Sequence, residues 1–114
     1  MQIQEIINRV LTTPNAAFFY TPPIYGKSDS YLFLNPKEIV TIKSLKKLDE
    51  KLNRIDNLIA NGFVGYSLMN YEAGYLFEKT LHKLLPNNEK LIQFFFYDKN
   101  SVQQIKSSEI DFVG

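Results

Sequence analysis

Apolar residues recur at helical spacing where the chain begins. Ile3, Ile6, Ile7, Val10 and Leu11 share one side of a helix that Thr12, Thr13 and Pro14 bring to an end. An aromatic run over 16–20 reads as a strand, stopped by Pro22-Pro23, neither of which can donate to a ladder. Residues 24–30, with Gly26, Ser28 and Asp29, read as a loop. Strands follow over 31–34, broken at Asn35-Pro36, and over 38–43 with good alternation. Ser44 is placed to cap a helix whose stripe is Leu45, Leu48, Leu52, Ile55, Leu58 and Ile59. Lys46, Lys47, Asp49, Glu50 and Arg54 lie on its other faces, and Asn61-Gly62 supplies a left-handed stop.

The second half begins with a long, almost wholly apolar strand over 63–71, the pattern of one buried on both faces. A short helix over 73–85 ends at Pro86 and a polar loop at Asn87-Asn88. An aromatic strand over 91–97, a turn over 98–101 and a partner strand over 102–105 read as a hairpin, and 110–113 can add an edge. The expected fold is α+β: a mainly antiparallel sheet with two or three helices, the longest, over 45–61, packed on one face.

At 114 residues the expectation is a single domain over 1–114. A composition 45% hydrophobic and 14% aromatic supports a packed core over a disordered tail. Thirteen basic against 12 acidic residues give no basic excess for a nucleic-acid partner. Without cysteine there is neither a disulfide framework nor a thiolate metal site, which fits a reducing compartment. The first residues carry Glu5 and Arg9 within their apolar pattern, unlike a signal peptide, and no segment approaches a membrane span. A cytoplasmic protein with no membrane partner is expected. The chain ends on Asp111-Phe112-Val113-Gly114, directly after a strand-like run, as expected of one domain of a longer protein.

Candidate chemistry is sparse. His82 is the only histidine, so any triad must use it, yet it sits between lysines with no evident orienting acid. No carboxylates show calcium-loop or His-carboxylate spacing, and the glycines are too dispersed to cradle a phosphate. Pro22-Pro23 reads as a stiff turn. Phe94-Phe95-Phe96-Tyr97, lacking basic neighbours, reads as a core strand and not as a base-stacking platform. The most chemical-looking pair is Tyr71-Glu72. Glu72 is either an acid raised by a dry pocket or a structural group accepting from the next turn or pairing with a basic residue. In the structural reading Gly74 sits where a side chain is forbidden.

The stretch Gly62-Phe63-Val64-Gly65-Tyr66-Ser67-Leu68-Met69-Asn70-Tyr71-Glu72-Ala73-Gly74-Tyr75, with Phe77-Glu78 beyond it, resembles the N-terminal domain of aminodeoxychorismate synthase component I, of the family that includes anthranilate synthase component I. The order of elements over nearly the whole chain agrees with this. Ser67 stands where the family often has glycine. Phe18-Phe19-Tyr20-Thr21 stands where anthranilate synthases carry Leu-Leu-Glu-Ser, whose serine helps bind tryptophan, so Thr21 is the corresponding position.

The resemblance implies that Gly62, Gly65, Tyr71, Glu72, Gly74 and Glu78 are structural motif residues and that no residue here is catalytic. It implies a chorismate-binding C-terminal domain of the same protein holding magnesium, with no cofactor in this chain, and a glutamine amidotransferase partner supplying ammonia for the route to 4-aminobenzoate and folate. Two alternatives stay open: a stand-alone module binding an aromatic or amino-acid ligand near Thr21 and Tyr31, and a protein-interaction or self-associating domain.

Overall fold

The computed structural model describes residues 1–23, 28–86 and 89–112. In chain order the regular elements are α1 (Ile3–Thr12), β1 (Ala17–Phe19), β2 (Asp29–Phe33), β3 (Glu38–Ile42), α2 (Leu48–Ala60), β4 (Val64–Met69), β5 (Ile92–Tyr97) and β6 (Gln103–Lys106). Short 3-10 helices occupy Tyr71–Phe77, Lys79–Leu84, Lys99–Ser101 and Ser107–Glu109. The fold is α+β with antiparallel sheets. Contacts divide the chain into two compact units, Met1–Pro36 with Tyr97–Gly114, and Lys37–Phe96.

In the first unit the sheet order is β1-β2-β6, antiparallel throughout. Ile6 of α1 is buried with Leu32, Ile105 and Ile110, and Ile3 and Val10 pack against them, whereas Ile7 and Leu11, expected in the same stripe, are exposed. The N-terminal ammonium donates to Glu109 O at 2.9 Å, and the Ile3 amide donates to Asp111 O at 2.9 Å. The edge expected over 110–113 is a single bridge, Gln2 to Asp111. Val113, the loop residues 24–27 and Asn87-Asn88 lie outside the described residues.

The second unit holds the sheet β3-β5-β4. β3 and β5 are antiparallel, with Val40 opposite Phe94. Gly65 faces Phe95 while the Asn70 amide donates to Leu91 O at 2.7 Å, so β4 also runs antiparallel to β5. Ile55 and Leu58 of α2 are buried with Val40, Ile42, Ile92 and Phe96, which places the longest helix on one face of this sheet. Each such fully buried aliphatic side chain stabilises by about 1.5–3 kcal/mol.

Other local expectations change as well, among them the helix over 73–85, which is two short 3-10 helices, Tyr71–Phe77 and Lys79–Leu84. α2 begins at Leu48, and Lys47, at φ 60° in the left-handed region, precedes it with no side-chain cap. The Ser44 hydroxyl instead accepts from the Lys46 amide at 3.2 Å, closing a tight turn, which leaves nothing for the helix. Asp29 and Ser30 belong to β2, drawn in by pairing with Lys106 and Ile105. The strands over 91–97 and 102–105 are not a hairpin: β6 pairs with β2, and β5 sits between β3 and β4. β4, read as buried on both faces, is an edge strand exposed along most of its length, because β5 takes the central place.

Candidate functional site

The segment from Gly62 to Glu78 is built residue by residue from local backbone needs. The Gly62 amide donates to Ile59 O and the Phe63 amide to Leu58 O, at 3.0 and 3.1 Å, and Gly62 has φ 85°. This is the doubly bonded helix end for which glycine is favoured, and Phe63 packs back on the core containing Leu58. Gly65 answers a different need. A Cβ there would stand 1.7 Å from Phe95 O, so the close approach of β4 to β5 admits only hydrogen at that position. Gly74 has open space around it and no left-handed φ, so nothing local requires glycine there.

Beyond the strand, Asn70 opens the 3-10 helix Tyr71–Phe77, its Oδ1 accepting from the Glu72 amide at 3.2 Å. The acceptor role expected of Glu72 thus belongs to Asn70. The cue was in the sequence: Asn followed by an acid in the first turn is a helix-start signature. The half-buried Glu72 carboxylate makes no hydrogen bond or ion pair with the described residues, so none of them orients it as an acid catalyst. Ala73 and Leu76 turn inward to the core, while Tyr71 and Phe77 are 88% and 61% exposed. Glu78 joins the two 3-10 helices, and its carbonyl accepts from the Leu81 amide at 2.9 Å. His82 donates from Nε2 to Leu76 O at 3.0 Å, which commits that proton to holding the turn.

Thr21 and Tyr31 come near one another through Ser30. The Thr21 amide donates to Ser30 Oγ at 3.1 Å, and Ser30 precedes Tyr31 on β2. Ser30 is fully buried and shares a 2.7 Å hydrogen bond with the buried hydroxyl of Ser107. Sequence reading missed this pair, since two serines 77 positions apart carry no joint signal. Thr21 and Tyr31 themselves are exposed.

Among the described residues, clefts of the second unit include three of note, and neither Thr21 nor Tyr31 lines any of these. The largest, about 520 Å³, brings Lys47, Asp49 and Glu50 at the start of α2 beside Lys79 and His82, with mixed charge. A second, about 470 Å³, contains Glu38 and Arg54. There both Glu38 carboxylate oxygens accept from the Arg54 guanidinium, Nε to Oε2 at 2.7 Å and Nη2 to Oε1. That bonding holds Glu38 below its usual carboxylate range, against a smaller opposing effect of burial. The third, about 230 Å³, is lined by Ile59, Phe63, Tyr66, Phe94 and Phe96 around Gly65. Its aromatic wall is orderly: Phe94 and Phe96 stack with centroids 6.2 Å apart.

Among the described residues no cluster of three or more His, Asp or Glu side chains is arranged to hold a metal, and no helix is long and apolar enough to cross a membrane. Compared with family models, curated proteins and solved structures, the chain matches none.

Proposed function

We propose that this chain is a non-catalytic domain of an aminodeoxychorismate synthase component I-like protein, packing beside a chorismate-binding catalytic domain. The observation that carries this reading lies within the resembling motif. Tyr71 and Phe77 point out of the fold while their neighbours Ala73 and Leu76 are inside. Exposed aromatics grouped in this way suit a surface covered by another folded unit. The chemistry of the segment agrees, since Glu72 lacks an orienting partner among the described residues and His82 serves the backbone. In this reading magnesium and the acid–base residues belong to the catalytic domain, a glutamine amidotransferase subunit supplies ammonia, and the whole works in the cytoplasm.

The deciding experiment joins sequence and assay. Codons following Gly114 that encode a chorismate-binding domain, with no chorismate turnover by the purified chain given ammonia and magnesium, are the expected result. Turnover by the isolated chain, or a stop codon at 115 with no separately encoded chorismate-binding partner, would sink the reading.

A second reading is a stand-alone module for an aromatic ligand. The aromatic cavity around Gly65 favours it, and it moves the place to look away from Thr21 and Tyr31. Calorimetric titration with tryptophan, chorismate and 4-aminobenzoate separates the two: heats of saturable binding support the module, and flat traces remove it.

A further inference from the structure

The four sheet edges of this chain are not alike. β1 is three residues long and runs toward Pro22-Pro23. β6 is four residues long and carries Lys106. β3 begins at Glu38, held by Arg54, with Pro36 and Lys37 before it and Lys43 after it. Shortness, charge and proline are the usual means of keeping an edge from pairing with another chain. β4 has none of them. It is six residues long, and no charged residue or proline occurs from Asn61 to Tyr71. Val64, Leu68 and Met69 are 37%, 56% and 65% exposed.

We propose that the outer edge of β4 pairs, antiparallel, with β4 of a second copy of this chain. The charge pattern selects this occupant. A charged segment would find no opposite charge on this strand and would have to desolvate its own, whereas two copies of the uncharged strand meet without repulsion or unpaired charge. The chain's net charge of +1 adds little repulsion between copies.

The backbone fixes the register. Because the Asn70 amide, just past β4, points to Leu91 O, just before β5, alternation turns the amide and carbonyl of Ser67 and Met69 outward. A two-fold axis normal to the sheet keeps faces matched only when it sets a residue opposite its own copy. Centred on Ser67, it sets Tyr66 against Leu68 of the other copy on one face and Gly65 against Met69 on the other. Gly65 then leaves room for the long Met69 side chain. This pairing is independent of the family reading and stands if that reading fails.

Cysteine supplies a direct test, because the chain has none. Opposed Ser67 residues in a hydrogen-bonded antiparallel pair have Cα atoms about 5.5 Å apart, within disulfide reach. Ser67→Cys should cross-link to a dimer under mild oxidation, and Asn53→Cys, on the exposed side of α2, should not. In sedimentation equilibrium the unmodified chain should shift from monomer to dimer as concentration rises. Leu68→Lys and Met69→Lys, each folded by circular dichroism, should dimerise roughly tenfold or more weakly. A chain monomeric at every concentration would overturn the proposal. So would a dimer unmoved by both lysines, or cross-linking of Asn53→Cys as fast as that of Ser67→Cys.

Discussion

Replacing Gly65 by alanine tests the close approach of β4 to β5. The new methyl would lie 1.7 Å from Phe95 O and 2.9 Å from its carbonyl carbon, where contact requires about 3.5 Å. Phe95 cannot retreat, because β5 is paired with β3 on its other side, Ile39 standing opposite Phe95. β4 must therefore move outward by well over an ångström, which breaks the ladder bonds nearest residue 65 and opens the Tyr66–Phe95 stack at 4.9 Å. Steric overpacking of about 1–3 kcal/mol and one or two lost backbone bonds of about 0.5–1.5 kcal/mol each give a cost of about 2–4 kcal/mol.

The other two glycines of the segment are internal controls. Gly62→Ala meets no atom within 4 Å but must hold φ 85°, at about 1–2 kcal/mol. Gly74→Ala meets neither obstacle and should be neutral, or stabilising by about 0.4–1 kcal/mol through the unfolded chain. Urea unfolding followed by far-ultraviolet circular dichroism, since the chain lacks tryptophan, reads all three. Equal stability of Gly65→Ala and the parent, or an equal cost at 65 and 74, would refute this account of the motif glycines.

Two further outcomes follow from the polar contacts. Ser30→Ala should cost about 1–3 kcal/mol because it strands the buried Ser107 hydroxyl, and Ser30→Ala with Ser107→Ala together should cost less than the two singles summed. A double-mutant cycle by urea unfolding checks this, and strict additivity would contradict it. Arg54 depresses Glu38 in the folded chain, so the stabilisation is complete above the unfolded carboxylate's range and is lost as pH falls through the folded value. The urea midpoint of the parent should therefore exceed that of Glu38→Gln at neutral pH in low salt, and the gap should close as pH falls below the ordinary carboxylate range; a gap constant with pH would rule the pair out as its source.

The parts of this fold legible in the sequence are those whose causes are local. Ile3, Ile6 and Val10 of α1 and Leu48, Leu52, Ile55 and Leu58 of α2 follow from spacing alone, while Ile7 and Leu11, at the margin of the α1 pattern, stay exposed. The stop at Asn61-Gly62 follows from the left-handed conformation that glycine accepts. Pairing is a property of distant residues and left no such mark. Two strands joined by the short turn at Lys99–Ser101 invite a hairpin reading, yet Gln103 and Ile105 find Leu32 and Ser30, more than 70 positions away. The burial of β4 failed for a related reason. Val64, Leu68 and Met69 are as apolar as Ile92, Phe95 and Phe96, and only the order β3-β5-β4 decides which run is central.

The same distinction sorts the candidate site. Gly62, Gly65, Asn70, Ala73 and Leu76 each answer a need inside the fold: a helix end, a close strand approach, a turn cap, a core contact. Tyr71 and Phe77 answer none, for their rings lie in solvent where a polar side chain would be hydrated at no cost to packing. Residues of the first kind are expected wherever this backbone is built, whatever it does. The second kind, together with the bare edge of β4, carries apolar surface that this chain does not itself bury. In the proposed reading that surface is what another folded unit or a second copy covers, while among the described residues Asn70, His82 and Ser44 spend their polar groups on holding turns.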